Sequence, residues 1–435
     1  MSAEIGPRTA LVVGGGWSGI AAAWYLHRSG AAVTLLDEQA TLGGRSSTVH
    51  LGDRRITLGG KNIGSKYEEF RTFVAEMKGG EFEHFGINSS RVVNGRVVTL
   101  DGKSPVAGML EVARRAGPFD IYRFLRLVGY VRGDDANRFV RGPQFVQLSK
   151  RRGDPALDGY FGRNLLDALI RPMTVRMNGA EPDEIHLADF GANLGMLLDR
   201  FDQLTDGMEP TYRRFSSTVT VENGTKAIGL LTEDGRVTGV DAIDAAGQPQ
   251  SYAADLVVIA IPAPAAAELL RAELSAVADE LACIRYNPAT VVVTAYDRPV
   301  FGPVARSLVF EPDSAVSNAG AYGVDDRHIV RYTFSGRAAR PYLTEDFDKL
   351  RMRAEAQLSP HFPAFDESKA VAQVGRHWEH AFCAYSHRHA DRVARIDAAA
   401  GAAGLVLVGD YRRGTSIEAC FRGAKEQVEA VTGTR

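Results

Sequence analysis

The feature that most constrains the fold is a glycine-rich turn that follows an apolar run near the amino end. Ala10 to Val13 is a short apolar run typical of a buried strand, and Gly14, Gly16 and Gly19 follow it with the spacing G-x-G-x-x-G. The first glycine permits a tight turn, the second lets backbone approach a pyrophosphate, and the third lets the next helix pack closely on the sheet. The pattern predicts a βαβ unit that binds a dinucleotide.

The residues after the turn complete this unit. Trp17 to Arg28 predicts a helix whose amino end, which includes Ser18, would present N–H groups to phosphate oxygens. Val33 to Leu36 predicts a second strand that closes on Asp37, with Glu38 directly after it. Asp37 stands near the offset of about 20 residues at which a carboxylate reaches a ribose hydroxyl. We therefore expect this acidic pair at the ribose end of the nucleotide.

The same stretch has a second interpretation, because Thr9 to Leu26 is an uncharged run comparable in length to a membrane span or a signal peptide. Ala21 to Ala23 could imitate a cleavage site. Three clustered glycines make a poor spanning helix, however, and the basic flank consists of Arg8. The nucleotide interpretation is favoured, and no targeting segment is expected.

Length and composition indicate an ordinary globular protein. A chain of 435 residues is long enough for about two domains, and a net charge of −2 gives no reason to expect a nucleic-acid partner. Cys283, Cys383 and Cys420 are far apart and form no C-x-x-C pair. We therefore expect neither a disulfide framework nor a zinc site, and a reducing cytoplasm fits best.

Two further glycine-rich segments follow the predicted βαβ unit. Gly43-Gly44-Arg45 combines close backbone approach with a guanidinium that can fork onto phosphate, so it is a candidate second pyrophosphate contact. Gly59-Gly60 follows a short predicted strand and would let backbone lie against a planar ring. Lys61 comes next, and it would either polarise that ring or face water. The sequence leaves both roles open.

Together, these motifs resemble the amino-terminal FAD-binding signature of the flavin superfamily that contains amine oxidases, protoporphyrinogen oxidases and carotenoid desaturases. The resemblance implies FAD rather than NAD, with Arg45 at the flavin pyrophosphate. It also implies an α/β fold in two domains, a Rossmann-like FAD-binding domain built from discontinuous segments and a substrate domain of mixed sheet and helices. The expected boundaries are 1–90, 210–275 and 390–435 for the FAD-binding domain, and 91–209 and 276–389 for the substrate domain.

The end of the chain carries a second motif of this kind. Gly404 to Val408 predicts a buried strand that Gly409-Asp410 ends, and Gly414 to Glu418 opens a terminal helix. A helix amino end aimed at the flavin would stabilise negative charge on the reduced ring. The stretch resembles the carboxy-terminal FAD motif of the superfamily. That resemblance places Asp410 at the ribityl or phosphate region, and Ser416, Ile417 and Glu418 near the ring.

The adenine contact departs from the superfamily pattern. Relatives usually have a glycine-led helix and a strand with an adenine-contacting valine between the counterparts of Gly224 and Asp234. This interval is unusually short here. Val219 and Val221 are the nearest candidates.

The predicted strand between Cys283 and Pro299 bears on the reaction. Amine-oxidase relatives commonly carry a lysine near its start, and counting back from Pro299 places that position on Val291. The opening Tyr286-Asn287-Pro288 looks more like the desaturase and protoporphyrinogen oxidase branch. The expected reaction is dehydrogenation of a small apolar or conjugated substrate by hydride transfer to flavin. Alternatives are oxidation of an amine C–N bond, a non-redox flavin isomerase, and a binding protein of this fold without redox function.

Such chemistry needs little from side chains beyond orientation and a dry pocket, so the sequence demands no particular acid or base. The weak catalytic candidates are Lys61, Tyr286, Trp378 and Tyr385. His377, His380, His387 and His389 could be drawn as a metal cluster if the first two shared a helix face. Trp378, Ala381, Tyr385 and His389 instead resemble a pattern found before the last FAD segment, so no metal is expected.

One segment raises the question of a membrane partner. Phe119 to Arg132 interleaves apolar residues with arginines, which is typical of a helix that lies on a membrane surface or frames an apolar entrance, or of a core helix with snorkelling arginines. The core-helix interpretation is favoured. Peripheral membrane contact and the oligomeric state stay open, and a small-molecule substrate is the partner we expect.

Overall fold

The computed structural model describes residues 7–85, 88–93, 95–101, 116–311 and 313–433. Residues 102–115 of the predicted substrate domain lie outside these ranges. The strands are β1 Thr9–Val13, β2 Ala32–Asp37, β3 Thr48–Leu51, β4 Arg54–Thr57, β5 Ile63–Gly64, β6 Phe82–His84, β7 Asn88–Val93, β8 Arg96–Asp101, β9 Phe201–Leu204, β10 Thr220–Asn223, β11 Lys226–Glu233, β12 Arg236–Ile243, β13 Pro249–Ala253, β14 Leu256–Ile259, β15 Arg285–Tyr296, β16 Ser307–Val309, β17 Asn318–Ala321, β18 Ile329–Ser335, β19 Ala370–Ala384 and β20 Leu405–Leu407.

The helices alternate with these strands and dominate the middle of the chain. They are α1 Trp17–Arg28, α2 Glu68–Glu76, α3 Pro118–Gly133, α4 Pro143–Lys150, α5 Leu157–Tyr160, α6 Arg163–Leu165, α7 Arg171–Asn178, α8 Gly191–Leu197, α9 Glu209–Phe215, α10 Ala263–Leu270, α11 Ser275–Ala282, α12 Phe347–Leu358, α13 Ala364–Glu367, α14 His389–Ala402, α15 Asp410–Arg413 and α16 Ile417–Thr432. A π-helical turn, Leu166–Ile170, joins α6 to α7.

A five-stranded parallel sheet holds the two ends of the chain together. Its strand order is β10-β2-β1-β14-β20, and every neighbouring pair is parallel. Strand β14 is buried along its whole length, as expected of a parallel strand covered on both faces. The predicted α/β class with a Rossmann-like parallel sheet is confirmed. The carboxyl ends of all five strands lie at one edge, where such sheets bind their ligands.

A second five-stranded sheet is antiparallel and has the order β16-β17-β18-β15-β19. The long strand β15 pairs with β18 on one side and β19 on the other, so that Val291 lies between Thr333 and Arg376. Strands β11 to β13 form a separate antiparallel sheet. Asp234 and Gly235 both have positive φ at its first hairpin, as a type I′ turn requires.

Helices α3 to α8 pack around their own apolar core, which includes Phe124 and Leu127 of α3. The predicted helix over Phe119 to Arg132 is present as α3, and Phe119, Tyr122 and Leu125 are exposed on it. Two arginines of α3, Arg123 and Arg126, donate hydrogen bonds to Tyr160. Among the described helices, none combines the length and the apolar character that crossing a bilayer requires. Membrane contact therefore stays a prediction.

Candidate functional site

A single cavity of about 2670 Å³ connects the parallel sheet with the helical layer. Its walls include the glycine turn before α1, the segments 43–46 and 59–62, and residues 409–410 and 415–417. The three glycine-rich segments and the carboxy-terminal motif, read from separate parts of the sequence, thus line one space. This space exceeds the roughly 300–1,000 Å³ of ordinary ligand pockets. It has room for a dinucleotide and a substrate together.

The glycine turn has the geometry that a bound pyrophosphate requires. Gly14 has φ +108°, and a Cβ there would lie 2.9 Å from the Ala260 carbonyl oxygen. A Cβ on Gly19 would lie 1.8 Å from the Gly14 oxygen, whereas one on Gly16 would meet no protein atom within 4 Å. No side chain caps the amino end of α1, whose N–H groups, Ser18 among them, face the cavity. The turn therefore fits a phosphate-bearing cofactor.

Asp37 is buried beneath this turn. Its carboxylate accepts hydrogen bonds from the Gly15 N–H and from the Gln39 N–H, the latter at 2.7 Å. Burial raises the pKa of the Asp37 carboxyl. Glu38 is exposed and lines the cavity beside it. Both acids lie where the ribose is expected, but Asp37 also braces the turn. Its role at the ribose stays a prediction.

Arg45 and Asp410 form an ion pair in the cavity wall. The Arg45 Nη1 donates to Asp410 Oδ2 at 2.8 Å and to the Ala381 carbonyl oxygen at 2.7 Å. The Tyr286 hydroxyl donates to Asp410 Oδ1 at 2.5 Å, and the Tyr385 hydroxyl donates to the Asp410 carbonyl oxygen at 3.0 Å. Arg45 and Asp410 both line the cavity. The guanidinium expected at the pyrophosphate is therefore already oriented by an acid from the other end of the chain.

The two tyrosine candidates, Tyr286 and Tyr385, both donate hydrogen bonds to Asp410. Neither Tyr286 nor Tyr385 is among the residues that line the cavity. Burial raises the pKa of both phenols well above the ordinary value, so they stay protonated and act as donors. Trp378 does line the cavity, on strand β19 opposite Ala289.

Gly59, Gly60 and Lys61 form another part of the cavity wall. A Cβ on Gly59 would lie 1.8 Å from the Arg45 carbonyl oxygen, so the two segments are in direct backbone contact. The Lys61 Nζ donates to Gln203 Oε1 at 2.7 Å and lies over the rings of Phe85 and Tyr322. Burial, reinforced by Arg331, lowers the pKa of Lys61 to about 7. The interpretation in which Lys61 faces water does not fit this burial.

The two candidate residues for the adenine contact, Val219 and Val221, lie in a different part of the fold from the one expected. Val219 lies in the apolar core just before β10, whose first residue Thr220 pairs with Thr34 of β2. It is therefore at the amino ends of the parallel strands, whereas ligands bind at their carboxyl ends. Val221 packs against the same core and does not line the cavity. Residues 225–228, which belong to the short interval between Gly224 and Asp234, line the cavity instead.

The residues at the start of the terminal helix α16 lie in two different environments. Ser416 caps the helix by accepting from the Ala419 N–H at 3.2 Å, and Ser416 and Ile417 both line the cavity. Glu418 points away from the cavity and accepts from the N–H groups of Glu69 and Phe70 at the start of α2. The prediction of Glu418 near the ring is wrong, because its carboxylate serves the amino end of another helix.

The histidine-rich stretch lies mainly on a strand rather than a helix. His377 and His380 belong to β19, whose pairing with β15 is irregular between Trp378 and Phe382, and both side chains line the cavity. His377 Nδ1 lies 2.9 Å from Thr290 Oγ1, and His389 Nε2 lies 2.6 Å from the Tyr411 carbonyl oxygen. Within the described residues, no group of three or more potential ligands is placed to hold a metal.

Comparison with known proteins agrees with this geometry. The profile of the family described as flavin containing amine oxidoreductase matches residues 17–432. A protein assigned as a protoporphyrinogen oxidase from Exiguobacterium sp. 255-15 has a similar structure, with a TM-score of 0.73, 19% identity and coverage of 98% of this chain and 99% of that one. Cyclohexylamine oxidase from Brevibacterium oxydans IH-35A has a TM-score of 0.72 and 16% identity, with coverage of 98% and 99%.

A third similar structure shows that the fold also serves a different reaction. It is a fatty acid isomerase from P. acnes, with a TM-score of 0.69, 14% identity and coverage of 99% of both chains. At these identities the likeness concerns the fold. The family match confirms the predicted flavin superfamily, the FAD cofactor and the assignment as a redox enzyme. The chain belongs to the flavin-containing amine oxidoreductase family.

Proposed function

We propose that this enzyme dehydrogenates an apolar or conjugated organic substrate, with a hydride passing from a substrate carbon to the flavin. The observation that carries the proposal is the apolar wall at the helical end of the cavity. Its side chains are Ile121, Phe124, Leu125, Val128, Leu165, Leu169, Met173 and Met177. Three helical segments thus bring aliphatic and aromatic groups to the same space as the glycine turns. A dry apolar surface binds a hydrocarbon framework and excludes water from the flavin.

The predicted cofactor residues are the ones we propose to hold FAD. The amino end of α1 would hold the pyrophosphate, with Gly43-Gly44-Arg45 beside it. Glu38 and residues 225–228 line the end of the cavity assigned to the ribose and adenine. The backbone at Gly59-Gly60 and the start of α16 border the end assigned to the ring. Bound there, FAD supplies the electron sink for the hydride.

One acidic group that lines the cavity, Asp199, already has a cationic partner and is therefore not free to bind a protonated amine. Asp199 is ion-paired with Arg138 at 3.2 Å and accepts from the Ser65 hydroxyl at 2.8 Å. Asp325 and Glu379 are exposed. Val291, at the position where amine-oxidase relatives commonly carry a lysine, is buried and lines the cavity. These features support C–C dehydrogenation over C–N oxidation.

We propose that Lys61 accepts the proton that the substrate loses when the hydride leaves. Its amine lines the cavity next to Gly60 and carries a pKa of about 7, so it is neutral in about half of the molecules at neutral pH. A neutral amine can accept a proton from a substrate carbon or from a bridging water. Trp378 would shape the same space and needs no acid–base role.

Anaerobic reduction of the bound flavin tests the proposed reaction. Protoporphyrinogen and partly hydrogenated polyenes are mixed with the oxidised holoenzyme, and the flavin absorbance is followed beside putrescine and cyclohexylamine. We expect bleaching by members of the first group and none by the amines. Bleaching by amines would replace the proposal with amine oxidation. Isomerisation of a polyene without net bleaching would replace it with isomerase chemistry, and colourless protein without releasable flavin would remove both.

A matched pair of substitutions tests the role of the apolar wall. Met173→Gln changes a buried side chain that lines the cavity, and Met352→Gln makes the same change at a side chain that is 60% exposed. We expect Met173→Gln to raise KM for the bleaching substrate by about tenfold, because it places an amide against the apolar framework. Met352→Gln should leave KM unchanged. Equal KM values for both variants would contradict binding at this wall.

A further inference from the structure

We propose that the substrate of this enzyme carries a carboxylate, and that Arg176 and Arg331 bind it at the apolar end of the cavity. The inference deepens the proposed function and rests on it, because it names the polar end of the substrate. It is carried by two guanidinium groups that line the cavity and have no carboxylate partner among the described residues.

Arg176 differs from the other arginines around it. Arg171 forms an ion pair with Glu181, and Arg337 and Arg340 pair with Asp183 and Glu184. Within the described part of the chain, Arg176 makes no hydrogen bond and no ion pair. Burial lowers its pKa, and no acidic group counteracts that effect. Arg176 is partly buried and lines the cavity, and a charge partly removed from water without a partner is costly, so the fold maintains an unbalanced cation here.

Arg331 lies close enough to Arg176 for the two charges to repel. Burial first, and Arg176 in addition, lower the pKa of Arg331 to about 10. The Arg331 Nη1 donates to the Gly59 carbonyl oxygen at 2.6 Å, and its remaining N–H groups are available to the cavity. Arg331 thereby joins the pair of cations to the backbone segment assigned to the flavin ring.

Lys61 extends this positive region. Arg331 is the second cause, after burial, of the lowered pKa of Lys61, and Arg306 acts in the same direction. Asp326 and Glu83 act in the opposite direction. Asp326, however, is paired with Arg54 at 2.6 Å, and Glu83 accepts a hydrogen bond from the Gln203 side-chain amide. These acids therefore do not neutralise Arg176 and Arg331.

The chemistry of the pair and of its surroundings selects a carboxylate. A planar guanidinium binds a carboxylate through paired N–H donors, and two of them can hold both oxygens. The adjacent wall is apolar, so the ligand must combine an anionic end with a hydrocarbon body. An ammonium at the same place would meet the repulsion of the two guanidinium cations. The arrangement accordingly favours an amphiphilic acid over an amine.

Binding of unreactive probes to the FAD-bound enzyme tests the site without turnover. Decanoate, decanol and decylamine are titrated calorimetrically, with inorganic phosphate as a fourth probe. We expect decanoate to bind best, and Arg176→Met or Arg331→Met to weaken its binding by about 10- to 100-fold while changing decanol binding little. Arg176→Lys should retain part of the affinity. Arg271→Met, at an exposed arginine paired with Asp279, is the control and should match the unmodified enzyme.

Thermal unfolding separates this role from a structural one. Because Arg176 is a partly buried charge with no carboxylate partner among the described residues, Arg176→Met should raise the melting temperature without ligand and reduce the rise that decanoate causes. A lower melting temperature with unchanged decanoate affinity would overturn the proposal. Loss of flavin from Arg176→Met would assign the cation to the cofactor instead. Equal decanoate affinity in Arg176→Met and the unmodified enzyme, with decylamine bound more tightly than decanoate, would also overturn the proposal. Binding of phosphate in place of decanoate would overturn it as well.

The outcomes distinguish the inference from the function on which it rests. Flavin bleaching by a neutral polyene, with no effect of Arg176→Met on decanoate, would keep the proposed reaction and remove the carboxylate site. Decanoate binding that depends on Arg176, with no bleaching by any dehydrogenation substrate, would keep the site and remove the reaction.

Discussion

Arg45 and Asp410 form an ion pair with 2.8 Å between Nη1 and Oδ2, although 365 positions separate them in the chain. The Asp410 side chain is 2% exposed, whereas that of Arg45 is 34% exposed. The pair joins the second glycine-rich segment to the strand end before the terminal helix. It thereby fixes the two predicted cofactor segments relative to each other.

Loss of this ion pair should weaken both the fold and cofactor retention. Arg45→Met leaves the buried Asp410 carboxylate with the Tyr286 hydroxyl as its side-chain donor. We expect the free energy of unfolding of the apoprotein to fall by about 1–3 kcal/mol, below the value for a fully buried pair because Arg45 is partly solvated. Urea denaturation measures this loss, and flavin content after gel filtration measures retention. Arg213→Met, at an exposed pair with Glu209, is the control, and equal losses in both variants would contradict the prediction.

A methyl group at Gly16 should interfere with the cofactor and not with the fold. Gly16 has φ −74°, which alanine adopts freely, and a Cβ there would meet no protein atom within 4 Å. We expect Gly16→Ala to lower FAD affinity at least about tenfold and to change the free energy of unfolding of the apoprotein by less than about 0.5 kcal/mol. FAD titration of the apoprotein and urea denaturation provide the two values. Gly129→Ala in α3, which also meets open space, should leave FAD affinity unchanged.

Local patterns were sufficient for the part of the site built by neighbouring residues. The strand, turn, helix and second strand from Thr9 to Asp37 follow from an apolar run, three glycines and an acid in sequence order. The terminal helix follows in the same way from the segment Gly414 to Glu418, which comes after the strand end at Gly409-Asp410. Each of these elements depends on spacings within a few residues. A single sequence displays such spacings directly.

Contacts between distant segments could not be predicted in this way. Val219 was a candidate adenine contact by position, but the register of β10 on β2 places it at the opposite ends of the strands. The burial of Lys61 depends on Phe85 and Tyr322, which reach it from other segments. Arg176 lacks an acidic partner among the described residues because the neighbouring arginines form ion pairs with the nearby carboxylates. No spacing in the sequence records that competition for partners.

Replacement of Lys61 should stabilise the apoprotein most strongly near neutral pH. The pKa of Lys61 is about 7 in the folded protein and about 10.4 in an unfolded chain, so between these values the unfolded state binds more protons. The native state therefore gains stability as the pH rises from about 7 to about 10. Lys61→Met removes this dependence, and we expect its free energy of unfolding to exceed that of the unmodified protein by a few kcal/mol at pH 7.

The pH profile distinguishes this effect from a general gain in packing. The difference between Lys61→Met and the unmodified apoprotein should shrink steadily between pH 7 and pH 9.5 in urea denaturation. Lys349→Met, at an exposed lysine of α12, should give a profile parallel to that of the unmodified protein. A Lys61→Met profile parallel to the unmodified one would show that Lys61 titrates normally in the fold.

His389 should control part of the stability at acidic pH. It is buried, with Nε2 2.6 Å from the Tyr411 carbonyl oxygen, and burial lowers its pKa to about 4. Below pH 6.5 the unfolded chain binds a proton that the folded protein does not bind. The free energy of unfolding therefore falls as the pH drops from about 6.5 to about 4, by up to about 3 kcal/mol. His389→Gln keeps a donor for the Tyr411 carbonyl and cannot be protonated, so its urea midpoint should fall less over this range. His50→Gln, at an exposed histidine, should retain the full acid dependence, and equal slopes for both variants would exclude His389 as its source.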